Sequence, residues 1–145
     1  MPQYQEIADA FGLGIARTVT HFPKGLRTFN SKLLTSQGIF VIKIYSKTDT
    51  FHGIDFESLK WEISLLNHIK KLPVPRYLPL KHNPNSFVLD SDDCYITAYA
   101  YIKGKQPTRI TVSMAKQLGF FLRNFHKISW HWVKRKFEIF RLKFF

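Results

Sequence analysis

The stretch 39–45 reads IFVIKIY, an apolar run interrupted by a single charge at Lys43. Its β-branched and aromatic content predicts a strand. Successive strand residues point to opposite faces, so Lys43 shares a face with Ile39, Val41 and Tyr45. An ammonium on such a face is costly unless it meets an anion or a water-filled cleft. Residues 30–36 (NSKLLTS) predict the preceding strand, and Gln37-Gly38 the tight hairpin turn that joins the two.

The next regular segment supplies an anion. Residues 55–71 predict a helix, with Asp55 as N-cap, Glu57 in the first turn, and Lys70 and Lys71 in the last. Leu59, Ile63, Leu66 and Ile69 form its apolar stripe. At about 100° per residue, Glu62 falls inside that stripe and Glu57 lies almost opposite, toward solvent. The strand contributes one ammonium and the helix face one carboxylate, and each is accounted for if the other is its partner. Lysines on edge strands are common as a guard against aggregation, and a Glu at a stripe margin is often simply solvated. The two together, in the order strand then helix, favour pairing.

Working outward, residues 3–11 predict a short amphipathic helix with Tyr4, Ile7, Ala8 and Phe11 on one side, ended by Gly12 and Gly14. A strand follows over 15–22. Pro73 and Pro75 end the second helix and hold VPRYLP (74–79) extended. Strands over 86–90 and 94–102 flank the acidic turn Ser91-Asp92-Asp93. Lys103-Gly104-Lys105 then leaves the sheet. A further helix over 113–128 has Ser113 as N-cap and Met114, Leu118, Phe121, Leu122 and Phe125 on one side. The fold class is therefore α+β: a five-stranded antiparallel sheet with one packed helix, then helical segments.

Composition narrows the partners without choosing one. The chain has 145 residues, enough for one domain or part of one, and at 45% hydrophobic and 16% aromatic it can bury a core. Lys plus Arg number 22 against 10 acidic residues, and the net +12 favours anionic partners. Cys94 is the single cysteine, so no internal disulfide forms, which fits a reducing cytoplasm. The N-terminus carries Glu6 and Asp9 and reads as no signal peptide, and no stretch approaches a membrane-spanning run.

Four segments resemble the aminoglycoside phosphotransferase superfamily, which includes choline kinases and type II homoserine kinases. They are GLRTFNSKLLTSQGIFVIKIY (25–45), FESLKWEISLLNHIKKLPVP (56–75), CYITAYAYIKG (94–104) and SMAKQLGFFLRNFH (113–126). The resemblance covers about residues 4–128. It implies a protein-kinase-like N-lobe and hinge over 1–103, the first helix of a C-lobe over 104–128, and an incomplete C-lobe in the basic aromatic tail 129–145. It also implies an ATP- or GTP-dependent kinase acting on the hydroxyl of a small molecule. Lys43 would contact the nucleotide phosphates and Glu62 would orient Lys43, the lysine–glutamate arrangement of protein kinases. Phe22–Asn30, with Gly25 and Asn30, would form the loop over the phosphates. Tyr99 would back the adenine pocket, and the carbonyl of Ala100 and amide of Ile102 would bond the adenine.

The same resemblance exposes a departure. The family holds Mg²⁺ and orients the acceptor with His-Gly-Asp-x-x-x-x-Asn and a later Asp, and this chain has no His-Gly-Asp. His126 and His131 have no Asp beside them, and Asp92 and Asp93 read as a solvated turn. No catalytic or metal-binding residue is assigned. The expectation is a nucleotide-binding lobe without its catalytic half and inactive alone: a truncated reading frame, the favoured reading, a fragment whose remaining C-lobe is another chain, or a non-catalytic relic. In the tail, Val133, Phe137, Phe140 and Phe144 make an apolar stripe on a basic helix. Such a stripe packs on a second lobe or, in the alternative reading, makes the chain a small basic module for anionic membrane or nucleic acid. The first reading expects no nucleic acid.

Overall fold

The computed structural model describes residues 3–23, 28–47, 56–104 and 107–143, with side chains through residue 130. Strands β1 (Ala16–His21), β2 (Phe29–Thr35), β3 (Gly38–Ser46), β4 (Leu89–Asp90) and β5 (Cys94–Ala100) form one antiparallel sheet in the order β1-β2-β3-β5-β4. The IFVIKIY run is thus the central strand. The helices are α1 (Tyr4–Phe11), α2 (Phe56–His68) and α3 (Val112–Lys143). The chain divides into two compact units, Met1–Ile63 with Pro75–Ile102, and Ser64–Val74 with Lys103–Phe145.

In the first unit α1 covers one face of the sheet, and α2 meets part of the other. One face of β3 presents Ile42 and Ile44, which with Leu33, Cys94, Ile96 and Ala98 pack against Ile7, Ala8 and Phe11 of α1. Burial pushes the Cys94 thiol pKa up from its ordinary value. The other face carries Lys43 and meets α2, where Phe56 stacks on Tyr95 with ring centroids 5.3 Å apart. The sequence expectation placed one helix on the sheet, and α1 adds a second on the opposite side. The reason lies in β3 itself, whose residues are apolar on both faces and therefore need a cover on each.

The α1 helix is closed at both ends by its own chain. Gln3 and Glu6 form a reciprocal capping box, with Gln3 N–H donating to Glu6 Oε2 at 2.8 Å. Gly12 ends it in the left-handed conformation at φ 67°. Gly14 also has a positive φ of 81°, and a Cβ there would collide with Ser36 Oγ, which accepts the Ile15 N–H at 2.9 Å. Gly14→Ala is therefore expected to cost about 1–3 kcal/mol from backbone strain alone. An unchanged urea midpoint would contradict this account of the turn.

Several boundaries differ from the sequence expectation. The strand expected over 86–90 is reduced to Leu89–Asp90, because the Ser86 carbonyl is already taken by the Leu80 N–H at 2.8 Å around the Asn83–Asn85 turn. The strand expected over 94–102 ends at Ala100. The α3 helix starts one residue earlier than expected, and its cap is Thr111, whose Oγ1 accepts the Met114 N–H at 3.2 Å, rather than Ser113. It also runs on to Lys143 rather than stopping at 128, since no Gly or Pro interrupts 129–143. Of its expected apolar side, Met114, Leu118 and Leu122 are exposed, while Phe121 and Phe125 are half-buried and stacked at 6.4 Å. The tail stripe, from Val133 on, lies outside the described side chains, as does the expected N-cap Asp55. Among the described residues, no helix is long and apolar enough to cross a membrane.

Candidate functional site

The expected pair forms. Lys43 Nζ lies 3.8 Å from Glu62 Oε1, the lysine projecting from the central strand and the glutamate from α2. The helix phase that directs Glu62 to the sheet comes from Leu59 and Ile63, which are buried on the same side. Glu57 is on the far side, as its phase predicts, and pairs with Lys60 at 2.7 Å near solvent.

The pair sits beside Tyr45 and Tyr77. Tyr77 donates its hydroxyl to Glu62 Oε1 at 2.6 Å, accepts from Lys43 Nζ at 3.5 Å, and lies 3.2 Å from the Tyr45 hydroxyl. Lys43 Nζ also sits 5.0 Å from the centroid of the Tyr45 ring. Partial burial disfavours the charge on Lys43, but the Tyr45 oxygen and the Glu62 carboxylate more than offset it, so its pKa stands above the usual lysine value. Burial, the neighbouring Tyr45 and the hydrogen bond to Glu62 hold the Tyr77 phenol well above the tyrosine range.

Sheet register gathers two of the other expected residues, Asn30 and Tyr99, on this face. Asn30 of β2 is directly opposite Lys43, and Tyr99 of β5 is opposite Val41, two residues before it. Cross-strand partners share a face, so Asn30, Lys43 and Tyr99 all belong to it. Phe22 N–H donates to the Asn30 carbonyl at 3.0 Å and closes the base of the loop between β1 and β2. Gly25, within that loop, lies outside the described residues.

Just past the end of β5, Tyr101 N–H donates to the Ile39 carbonyl at 2.9 Å. The peptide is trans, so the Ala100 carbonyl on its other side points away from β3. Ile102 follows beyond the end of the strand, with its side chain exposed.

A divalent cation does not fit the described residues around Lys43. Glu62 Oε1 already accepts from Tyr77 and faces Lys43, whereas Mg²⁺ needs carboxylate or phosphate oxygens free to complete an octahedron. Among the described residues, no group of three or more His, Cys, Asp or Glu is placed to hold a metal.

No protein-family profile matches the chain, and no curated protein matches it. Similar solved structures include the crystal structure of spectinomycin phosphotransferase, APH(9)-Ia, in complex with ADP and spectinomycin, with a TM-score of 0.68 at 18% identity. The fold is shared with an aminoglycoside phosphotransferase. The likeness covers 88% of this chain and 37% of that one, so the chain spans little more than a third of its length. The α+β, kinase-like N-lobe expected from the sequence is the architecture found.

Tyr77 is the residue of the cluster around Lys43 that sequence reasoning missed. It lies in VPRYLP, which was expected only to be extended. The segment forms an antiparallel bridge from Tyr77 to Tyr99, and Leu78 N–H donates to the Ala98 carbonyl at 2.7 Å. The one local signal was an aromatic residue two positions past a helix-ending proline.

Proposed function

We propose that the chain is a nucleotide-binding lobe of the aminoglycoside phosphotransferase superfamily. In this reading Lys43 binds the α- and β-phosphates of ATP or GTP, and Glu62 holds Lys43 in place. Asn30 and Gly25 belong to the loop over the phosphates, and Tyr99 backs the base. The Ala100 carbonyl and Ile102 amide bond the adenine edge. Phosphoryl transfer to a small-molecule hydroxyl is the reaction the lobe would serve. The carboxylates that such transfer requires are not among the residues assigned here, so the lobe binds nucleotide and does not transfer phosphate by itself.

The observation that carries this reading is the meeting of Lys43 and Glu62 on one face of a sheet of this fold. A fold alone does not fix a function, but a strand lysine held by a helix glutamate is suited to anchoring phosphates. The net charge of +12 supports an anionic ligand. The phosphotransferase that shares the fold was crystallised with ADP and spectinomycin, which supports a nucleotide and a small-molecule acceptor.

Thermal unfolding tests it. ADP, ATP or GTP at 100 times its Kd should stabilise the chain by about 2.7 kcal/mol, and the melting temperature should rise with nucleotide concentration. No shift with any of the three nucleotides, alongside a shift with anionic vesicles or DNA that disappears steeply in salt, would replace this reading.

A further inference from the structure

We propose that Tyr77 is a positioning residue: its hydroxyl fixes the Glu62 carboxylate and so sets where Lys43 stands. The inference rests on the nucleotide-binding reading above and adds a third member to the pair.

The distances rank the contacts. Glu62 Oε1 is 2.6 Å from the Tyr77 hydroxyl and 3.8 Å from Lys43 Nζ, so the firm bond to the carboxylate comes from the tyrosine. A phenol donating to a carboxylate at that length is a charge-assisted hydrogen bond, of the stronger kind. Lys43 touches the same oxygen at long range and reaches the Tyr77 hydroxyl at 3.5 Å. A lysine ammonium has three donors, and these two long contacts leave it able to turn them to a phosphate.

Tyr77 is held from several sides. Its backbone bridges to Tyr99 and its ring meets the Tyr99 ring edge-on, at 6.1 Å between centroids. The Leu78 N–H bond to Ala98 ties the next residue to β5, and Pro75 and Pro79 restrict the segment on both sides. Lys43 and Glu62 have long side chains with many rotamers, whereas a tyrosine hydroxyl is placed by two torsions. Burial and the carboxylate keep this phenol protonated, so it remains a donor across the physiological range. The arrangement links the Lys43 pair to β5, the strand that carries Tyr99 and Ala100.

The test measures ADP and adenosine affinity for the wild-type chain, Tyr77→Phe, Glu62→Ala and the double variant. Tyr77→Phe keeps the buried ring and removes only the hydroxyl. It should weaken ADP by about tenfold and leave adenosine, which has no phosphate, unchanged. In the Glu62→Ala background the same change should cause little further loss, because the hydroxyl acts through that carboxylate. Equal losses for ADP and adenosine would mean that the hydroxyl supports the whole site rather than the phosphate contact, and that result overturns the inference. So does wild-type affinity for ADP in Tyr77→Phe, with the nucleotide-binding reading left standing. A wild-type chain that does not bind ADP overturns that reading and this inference with it. Should Tyr77→Phe not fold, the hydroxyl proton decides. A slowly exchanging resonance in the wild type that is lost in Glu62→Ala supports the bond, and its absence in the wild type overturns it.

Discussion

Lys43→Ala is expected to weaken ADP binding by about a hundredfold or more while leaving the free chain nearly as stable as before. The two halves of that expectation have different causes. In the free chain the lysine is a modest contributor: its side chain is 22% exposed, its carboxylate partner is 3.8 Å away, and ion pairs of that openness are worth about 0–1 kcal/mol. Glu62 is not orphaned by the change, because Tyr77 still donates to it at 2.6 Å. In the nucleotide complex the lysine would be the charge nearest the phosphates, and its loss leaves them without their main counter-ion. Adenosine affinity should be untouched, and the residual ADP affinity should depend less on ionic strength than that of the wild type. Isothermal titration of both ligands at two salt concentrations reads all of this. Equal ADP affinity in Lys43→Ala would remove Lys43 from the phosphate site.

The contrast between Lys43 and Tyr77 shows what a sequence can carry. The lysine was legible because strand alternation fixes its face, and Glu62 because a 3.6-residue period fixes its phase. Both are local rules, and they meet at one point in the structure. Tyr77 obeys no such rule. Its segment has neither period, and its role arises from a bridge to Tyr99, 22 residues later, which only the assembled sheet defines. The second cover of the sheet was partly legible. IFVIKIY is apolar on both faces, and that continuity calls for a layer on each side, one of which is the predicted helix α1. The short β4 illustrates the opposite limit: SFVLD has strand composition throughout, yet a non-local Leu80–Ser86 hydrogen bond draws its first residue into a turn.

The largest stability effect is expected at Ile42, one residue before the lysine and on the other face. Ile42 is fully buried, and its strand neighbours in register are Ser31 and Ala98, both small and both buried. Beyond them lies α1, whose Ala8 is also fully buried and belongs to the same cluster. Small side chains on strands and a capped helix have little freedom to move into a void, so Ile42→Ala should leave most of its cavity unfilled. The expected loss is about 2–5 kcal/mol, a large part of the roughly 5–15 kcal/mol that a domain possesses. Ile39→Ala removes the same atoms from the same strand, but Ile39 is 38% exposed and faces the other way. Its cost should stay below about 1 kcal/mol. Urea unfolding of the two variants therefore separates the two faces of β3. Equal losses would mean that α1 does not seal the face opposite Lys43. A large loss at Ile42 alone would show that the strand holding the lysine is fixed from behind, by a core that contains none of the site's residues.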